Sequence, residues 1–418
     1  MYNPISIKLL DFLLSLSESL DLFNPLLAQH QIRTAFIAWK IGKEYGLDPT
    51  ELENIITAAL VHDIGALTPE DKVALHESEY DKDIHEHCII GEKLLSQSSL
   101  FEEPARIIRY HHTAFQDWED TNPTSLVLHA QILFLADTVE RAIKRHEYIL
   151  YQVKDINSNI VSLSGTEFHP DIVEAYKAIS GIEEFWFDLV SHYVTELLRD
   201  NSPSRNTLIY QKDFLEISEI LRKIIDFRSH FTSTHSTGVS SAAASLSRLM
   251  GYSDVEVEMM QLAGNVHDLG KLAVPNNILE KPKTLSDNEF SVIRQHAYHT
   301  YSILRRCGLP QNIIEWAGFH HEQLNGDGYP FHLKSGQISS GSRIVSVADV
   351  LTALAENRPY RDSMDKRKVM KVLTDMGREK HLDSFVIGVL NKHYDEIVEP
   401  TLLKQKIAEA QYYEDHYG

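Results

Sequence analysis

The chain has 418 residues, enough for two or three domains with a substantial core in each. Its 40 Lys and Arg against 60 Asp and Glu leave a formal charge of −20, which argues against a non-specific binder of nucleic-acid polymers or membrane surfaces. Two cysteines, Cys88 and Cys307, make no disulfide framework, stand at no zinc-site spacing and fit a reducing cytosol.

The apolar N-terminus, "MYNPISIKLLDFLLSLSESLDLF", is interrupted by Asp11 and Glu18 and lacks a basic start, so it reads as a helix rather than a signal peptide. Next, "LENIITAALVHDIG" places Leu52, Ile55, Ile56, Ala59 and Leu60 on one helix face. The apolar stretch "LVLHAQILFLAD" is broken by His129 and Gln131 and closed by Asp137. No run approaches the roughly 18 apolar residues of a membrane span, so the expected location is the cytoplasm, with no membrane partner. A polar cluster, "DNSPSRNT" at residues 200–207, reads as a linker between a first domain, 1–200, and a second, 208–418. In the second domain "VEVEMMQLAGNVHDLG" repeats the helical rhythm, and "GYPFHLKSGQISS" reads as a small β-hairpin. Lys366-Arg367-Lys368 reads as a solvated helix face. Helix dominates throughout, and the fold class is all-α.

The two halves look like repeats. Metal-ligand residue types fall at His30, His62-Asp63, His87, His111-His112 and Asp137, and again at His235, His267-Asp268, His296, His320-His321 and Asp349. The first interval is 32 residues in both halves (62 − 30 and 267 − 235), and the interval from the middle His to the His-His pair is 24 in both (111 − 87 and 320 − 296). Local context repeats as well, "ALVHDIGAL" against "GNVHDLGKL". Duplication of one helical unit accounts for all five stations.

A His-Asp pair can flank a metal centre, with its carboxylate bridging two ions. In the second half His235, His267, Asp268 and Asp349 would serve one ion, and Asp268, His296, His320 and His321 the other. His299 is a rival for His296, but His296 aligns with His87. Imidazole and carboxylate without thiolate suit iron or manganese. Two such ions form a clamp for attack of a bridging hydroxide on a phosphorus ester.

These stretches, with "HHEQLNGDGYP" at His320–Pro330 and "RIVSVADVLTALAENRPYR" after it, carry a resemblance. Across about residues 228–365 the chain resembles the HD-GYP family of HD-domain metal phosphohydrolases. That resemblance implies two tandem HD-type helical domains, a two- or three-metal site, and hydrolysis of a cyclic dinucleotide, cyclic di-GMP or 3′,3′-cyclic GMP-AMP, to a linear 5′-phosphorylated product. It also implies a catalytic role for Asp268 and for Lys271, which would meet a phosphate oxygen. Tyr329 would contact the substrate phosphate or a base, and Arg358 and Arg361 would hold a second phosphate or a guanine edge. Some members carry a glutamate four residues before the first ligand histidine; Phe231 stands there, so two metals are expected.

The first half fills every ligand station, so His30, His62, Asp63, His87, His111, His112 and Asp137 make a second potential metal site. Ala66 stands where Lys271 does, and no Gly-Tyr-Pro follows His111-His112. Three roles stay open for this half: cleavage of a smaller phosphate ester, regulation, or structural support. A homodimer is open too. Two further readings of the whole are a non-cyclic nucleotide phosphohydrolase and a catalytically weak cyclic dinucleotide sensor.

Overall fold

A computed structural model describes residues 6–20, 28–66, 71, 75, 85–119, 123–227, 234–281, 284–356 and 363–417. The chain clusters into two compact units that divide between Ile209 and Tyr210. Both are helical bundles, and the all-α expectation is met.

In the first unit a short strand, β1 (Ser6–Lys8), pairs with β2 (Leu208–Tyr210). Between them run α1 (Leu9–Leu20), α2 (His30–Tyr45), α3 (Pro49–Leu60), α4 (Glu86–Leu95), α5 (Glu102–Arg109), α6 (Thr124–Arg141), α7 (Ile149–Ser162), α8 (Pro170–Ser180), α9 (Glu183–Val190) and α10 (Val194–Asn201). The stretch expected as a linker runs from the end of α10 through Pro203–Asn206 to β2. Helix α2 is buried on nearly every face, from His30 to Gly42, and α3, α6 and α8 pack around it.

The second unit contains α11 (Gln211–Phe227), α12 (His235–Leu249), α13 (Asp254–Val266), α14 (Asn276–Leu279), α15 (Asp287–Arg306), α16 (Gln311–Gly318), α17 (Ser340–Ala355), α18 (Lys366–Arg378), α19 (Ser384–Lys392) and α20 (Tyr394–Tyr417). Its central helix is α12, wrapped by α13, α17 and α20. The buried face of α12 is built from Ser236, Gly238, Ser240, Ser241, Ala242 and Ala243, small residues that let neighbouring backbones close in. The basic run at the start of α18 is an exposed helix face, as expected. No helix among the described residues is long and apolar enough to cross a membrane.

Capping fixes where the site-bearing helices begin. Asp48 caps α3 and Ser253 caps α13, each in a reciprocal box with Glu51 or Glu256. Each cap stands 14 residues before its His-Asp histidine (62 − 48 and 267 − 253). The pair therefore falls in the turn just past the helix, not within it. That turn lies directly on the next ligand-bearing helix. A Cβ on Gly270 would sit 2.0 Å from the His296 carbonyl oxygen, and one on Gly65 would sit 2.0 Å from that of His87. Thr300 locks the contact, its hydroxyl accepting from the Gly270 N–H at 2.9 Å and donating to the His267 carbonyl at 2.9 Å.

The hairpin expected after Gly-Tyr-Pro does not form; Ser335–Gln337 is a single 3-10 turn. The Glu322 carboxylate accepts the backbone N–H groups of Phe331 (2.7 Å) and Leu333 (2.8 Å), the alternate amides that a ladder would have paired.

Gly270→Ala is expected to lower stability by about 3 kcal/mol or more, because backbone rather than a flexible side chain must move. Gly388→Ala, on the open face of α19, is expected to raise it by roughly 0.5–1 kcal/mol. Thermal denaturation of both variants checks the pair; an unshifted Gly270→Ala transition would refute the close approach.

Candidate metal centres in the two halves

Each ligand station has its own structural support. His235 and His30 open α12 and α2. His296 and His87 lie within α15 and α4, and Asp349 and Asp137 within α17 and α6. The pairs His320-His321 and His111-His112 follow the ends of α16 and α5. The fold gathers all of them, one set in each unit.

In the second unit Asp268 is the hub. Its Oδ2 lies 3.1 Å from His267 Nε2, while Oδ1 lies 3.4 Å from His296 Nε2 and 3.9 Å from His320 Nε2. His235 Nε2 faces Asp349 Oδ1 at 3.1 Å. His321 completes the cluster, its ring 5.0 Å from that of His296 and 4.1 Å from that of His320. His299 stands apart, its ring beside Tyr298. Burial raises the Asp268 carboxyl, but His267 and Lys271 outweigh it and hold the group well below the usual carboxylate range. Burial likewise disfavours a charged His235, yet Glu356 and Asp349 push it up to about 10.

The imidazoles themselves call for a cation. Nδ1 of His267 donates to the Gly264 carbonyl at 2.8 Å, that of His296 to Ile293 at 2.6 Å, and that of His320 to Ala317 at 2.6 Å. A carbonyl only accepts, so Nδ1 carries the proton and Nε2 presents a lone pair. His296 and His320 then aim lone pairs at each other across 3.4 Å. Burial holds His296 down to about 3 and His320 well below its ordinary value, so neither gains a proton to relieve the clash. A metal ion between them satisfies both, and the donor set fits one.

Beside this cluster Lys271 places its ammonium 2.5 Å from Asp268 Oδ2. Tyr329 packs its ring 4.8 Å from that of His321, and its hydroxyl is pushed up by burial and by Asp349 and Asp268. Glu322 holds the loop that carries it, and Gly328 fits because a Cβ there would meet the Gln323 nitrogen at 2.2 Å. Phe231, Arg358 and Arg361 lie outside the described residues.

The first unit repeats the arrangement. His30 Nε2 lies 3.5 Å from Asp63 and 3.3 Å from Asp137; His62 Nε2 lies 3.4 Å from Asp63 and 3.6 Å from Asp137. His87 and His111 face each other at 3.3 Å through Nε2. Nδ1 donates to Ala59 from His62 and to Ile108 from His111, as in the second unit. His112 sits against His111, its ring 4.0 Å away.

Sequence reasoning missed four contributors. Cys88 has no partner at zinc-site spacing in the sequence, yet its Sγ lies 3.7 Å from His87 Nε2 and 3.5 Å from His111 Nδ1. Ala297 occupies the matching station in the second unit. The other three are carboxylates. Glu140 accepts a hydrogen bond from Nδ1–H of His30 at 2.5 Å, and Glu356 accepts one from that of His235 at 3.2 Å. They stand three and seven residues after Asp137 and Asp349, helical spacings that return to one face and so were legible in principle. Glu322 had no such signal.

Glu356→Ala is expected to weaken metal binding in the second unit by roughly 10–100-fold, through loss of the group that orients His235. Equilibrium metal titration of the full chain checks this; an affinity equal to wild type would remove Glu356 from that role.

Comparison with known proteins identifies the domains in which these clusters lie. Residues 219–386 and residues 27–142 each match a family model described as an HD domain. The chain is 30% identical over 375 residues to the 3′3′-cGAMP-specific phosphodiesterase 1 of Vibrio cholerae, covering 86% of both chains. It is 38% identical over 154 residues to a cyclic di-GMP phosphodiesterase of Thermotoga maritima, covering 36% of this chain and 42% of that one. The fold matches a crystal structure of a cyclic GMP-AMP-specific phosphodiesterase of V. cholerae with a TM-score of 0.64, at 21% identity, over 94% of this chain and 98% of that one. The chain belongs to the HD-GYP family of cyclic dinucleotide phosphodiesterases, and it carries two HD domains in tandem.

Proposed function

We propose that the second domain, 208–418, hydrolyses 3′,3′-cyclic GMP-AMP to a linear dinucleotide with a 5′ phosphate. The observation that carries this reading is the gathering of seven potential ligands, Asp268 among them, in one buried cluster beside Lys271 and the Tyr329 loop. The choice of cyclic GMP-AMP rests on the relative that matches across both halves.

His235, His267, Asp268 and Asp349 would hold one divalent ion, and Asp268, His296, His320 and His321 the other, with iron or manganese suited to both. Such ions activate water at neutral pH and draw charge from phosphoryl oxygens. The protein supplies the rest. Asp268 offers one carboxylate oxygen to each side of the centre. Lys271 sets a cation where negative charge grows as the phosphorus takes an oxygen from water and releases the 3′ oxygen. Tyr329, wedged against His321, fixes the phosphate from the loop side. Arg358 and Arg361 would hold the second phosphate or a base edge. Local cations of this kind matter in a chain of net charge −20, whose overall field repels a dianionic substrate.

The first domain, 1–200, would bind metal through His30, His62, Asp63, His87, His111, His112 and Asp137. Ala66 gives it no counterpart of Lys271, and it lacks the Gly-Tyr-Pro loop, so cyclic dinucleotide cleavage is assigned to the second domain.

Full-length variants assayed on cyclic GMP-AMP with manganese or iron, with products separated by chromatography, test the assignment. His267→Ala or Asp268→Ala should abolish cleavage, and Lys271→Ala should lower turnover by roughly 10²–10³-fold. His62→Ala should leave cleavage standing. Wild-type rates in Asp268→Ala, or release of mononucleotides from non-cyclic substrates alone, would overturn the reading.

A further inference from the structure

Helix α15 carries His296 on its buried side and a different set of groups on its outer side. Phe290, Arg294 and Tyr298 follow one another at four-residue spacing, so they form one stripe. Phe290 is 46% exposed and Tyr298 50%, a large aromatic surface to leave in water. The stripe borders the Gly-Tyr-Pro loop. The Phe290 ring lies 6.5 Å from that of Tyr329, and the Tyr298 ring 6.3 Å from that of Phe331.

Arg294 stands at its centre. Its Cζ lies 4.7 Å from the Tyr329 ring centroid, and Tyr329 in turn packs on His321. Among the described residues no carboxylate lies within ion-pair distance of this guanidinium. An arginine held over an aromatic ring, with no acidic partner among the described residues, has an N–H edge to offer a ligand. Lys271 does not have this geometry, because its ammonium is engaged with Asp268.

We propose that Arg294 reads the guanine base of the substrate, with the aromatic stripe supplying stacking surface beside it. The proposal rests on the cyclic dinucleotide reading of this site. Arginine is suited to guanine because its two parallel N–H groups match the O6 and N7 acceptors, whereas adenine offers a donor where O6 would be. Exposed aromatic rings accept any purine face and add affinity without choosing the base. Guanine is also common to the substrates named for the two curated relatives above.

The test compares wild type, Arg294→Ala and Arg294→Lys, all full length, on cyclic GMP-AMP, cyclic di-GMP and cyclic di-AMP. Rates are measured with metal, and equilibrium binding by calorimetry without it. Arg294→Ala should raise KM for the two guanine ligands roughly tenfold while leaving cyclic di-AMP nearly unchanged, and Arg294→Lys should not restore the preference. Metal content should stay at the wild-type level. Equal losses on all three ligands would mean that Arg294 only braces the Tyr329 loop or meets phosphate, and would overturn the proposal. So would an unchanged preference. If wild type cleaves none of the three, the function reading fails by itself; the binding preference and its loss in Arg294→Ala still decide the role of Arg294.

Discussion

A buried imidazole has two nitrogens, and in this chain the backbone engages one of them. At His62, His111, His267 and His320 the Nδ1–H donates to a carbonyl three residues earlier, in the last turn of the preceding helix. Carbonyls in a helix's last turn lack the i+4 amide that interior carbonyls have, and so can take a side-chain donor. The histidine thus closes a helix and, by the same bond, turns its lone pair toward the centre. Much of the architecture follows from this double use. Helices must stop one or two residues before each ligand pair, and the capping boxes of α3 and α13 set the length that makes them stop there.

The His-Asp turn then has to lie against the helix bearing the next histidine. Glycine at 65 and 270 removes a side chain that would hold the two backbones apart. Small residues along α12 do the same for its neighbours. The carboxylates complete the design by charge. Asp268 and Asp137 sit among imidazoles, and Glu356 and Glu140 support the outermost histidine from behind. Glutamates at different sequence offsets reach the same task because both offsets return to one helix face.

The two halves share this frame and differ at the positions that touch it from outside. Lys271 is replaced by Ala66, Ala297 by Cys88, and Ala353 by Arg141, which lies 3.6 Å from Asp137. The first centre therefore holds its cation on α6 rather than on the His-Asp turn, and it has a thiol within reach of two histidines. The loop after His320-His321 is the other difference. Glu322 keeps it irregular by taking two of its amides, and the irregularity brings Tyr329 onto His321 and under Arg294.

The all-α class, the repeat of five stations and the residues that converge were legible in the sequence, because helical periodicity and fixed intervals survive in one dimension. The Gly-Tyr-Pro segment pointed to a hairpin, since turn residues and alternation cannot report a buried glutamate that captures the amides first. Cys88 looked isolated because spacing rules count neighbours along the chain, and its partner His111 stands 23 residues away. Arg294 carries no signal of its own in the sequence, because its place over Tyr329 depends on where the loop packs. Local order determined which side chains could bind metal. Only tertiary packing decided which groups flank them, because orientation across separate helices depends on contacts that no single segment contains.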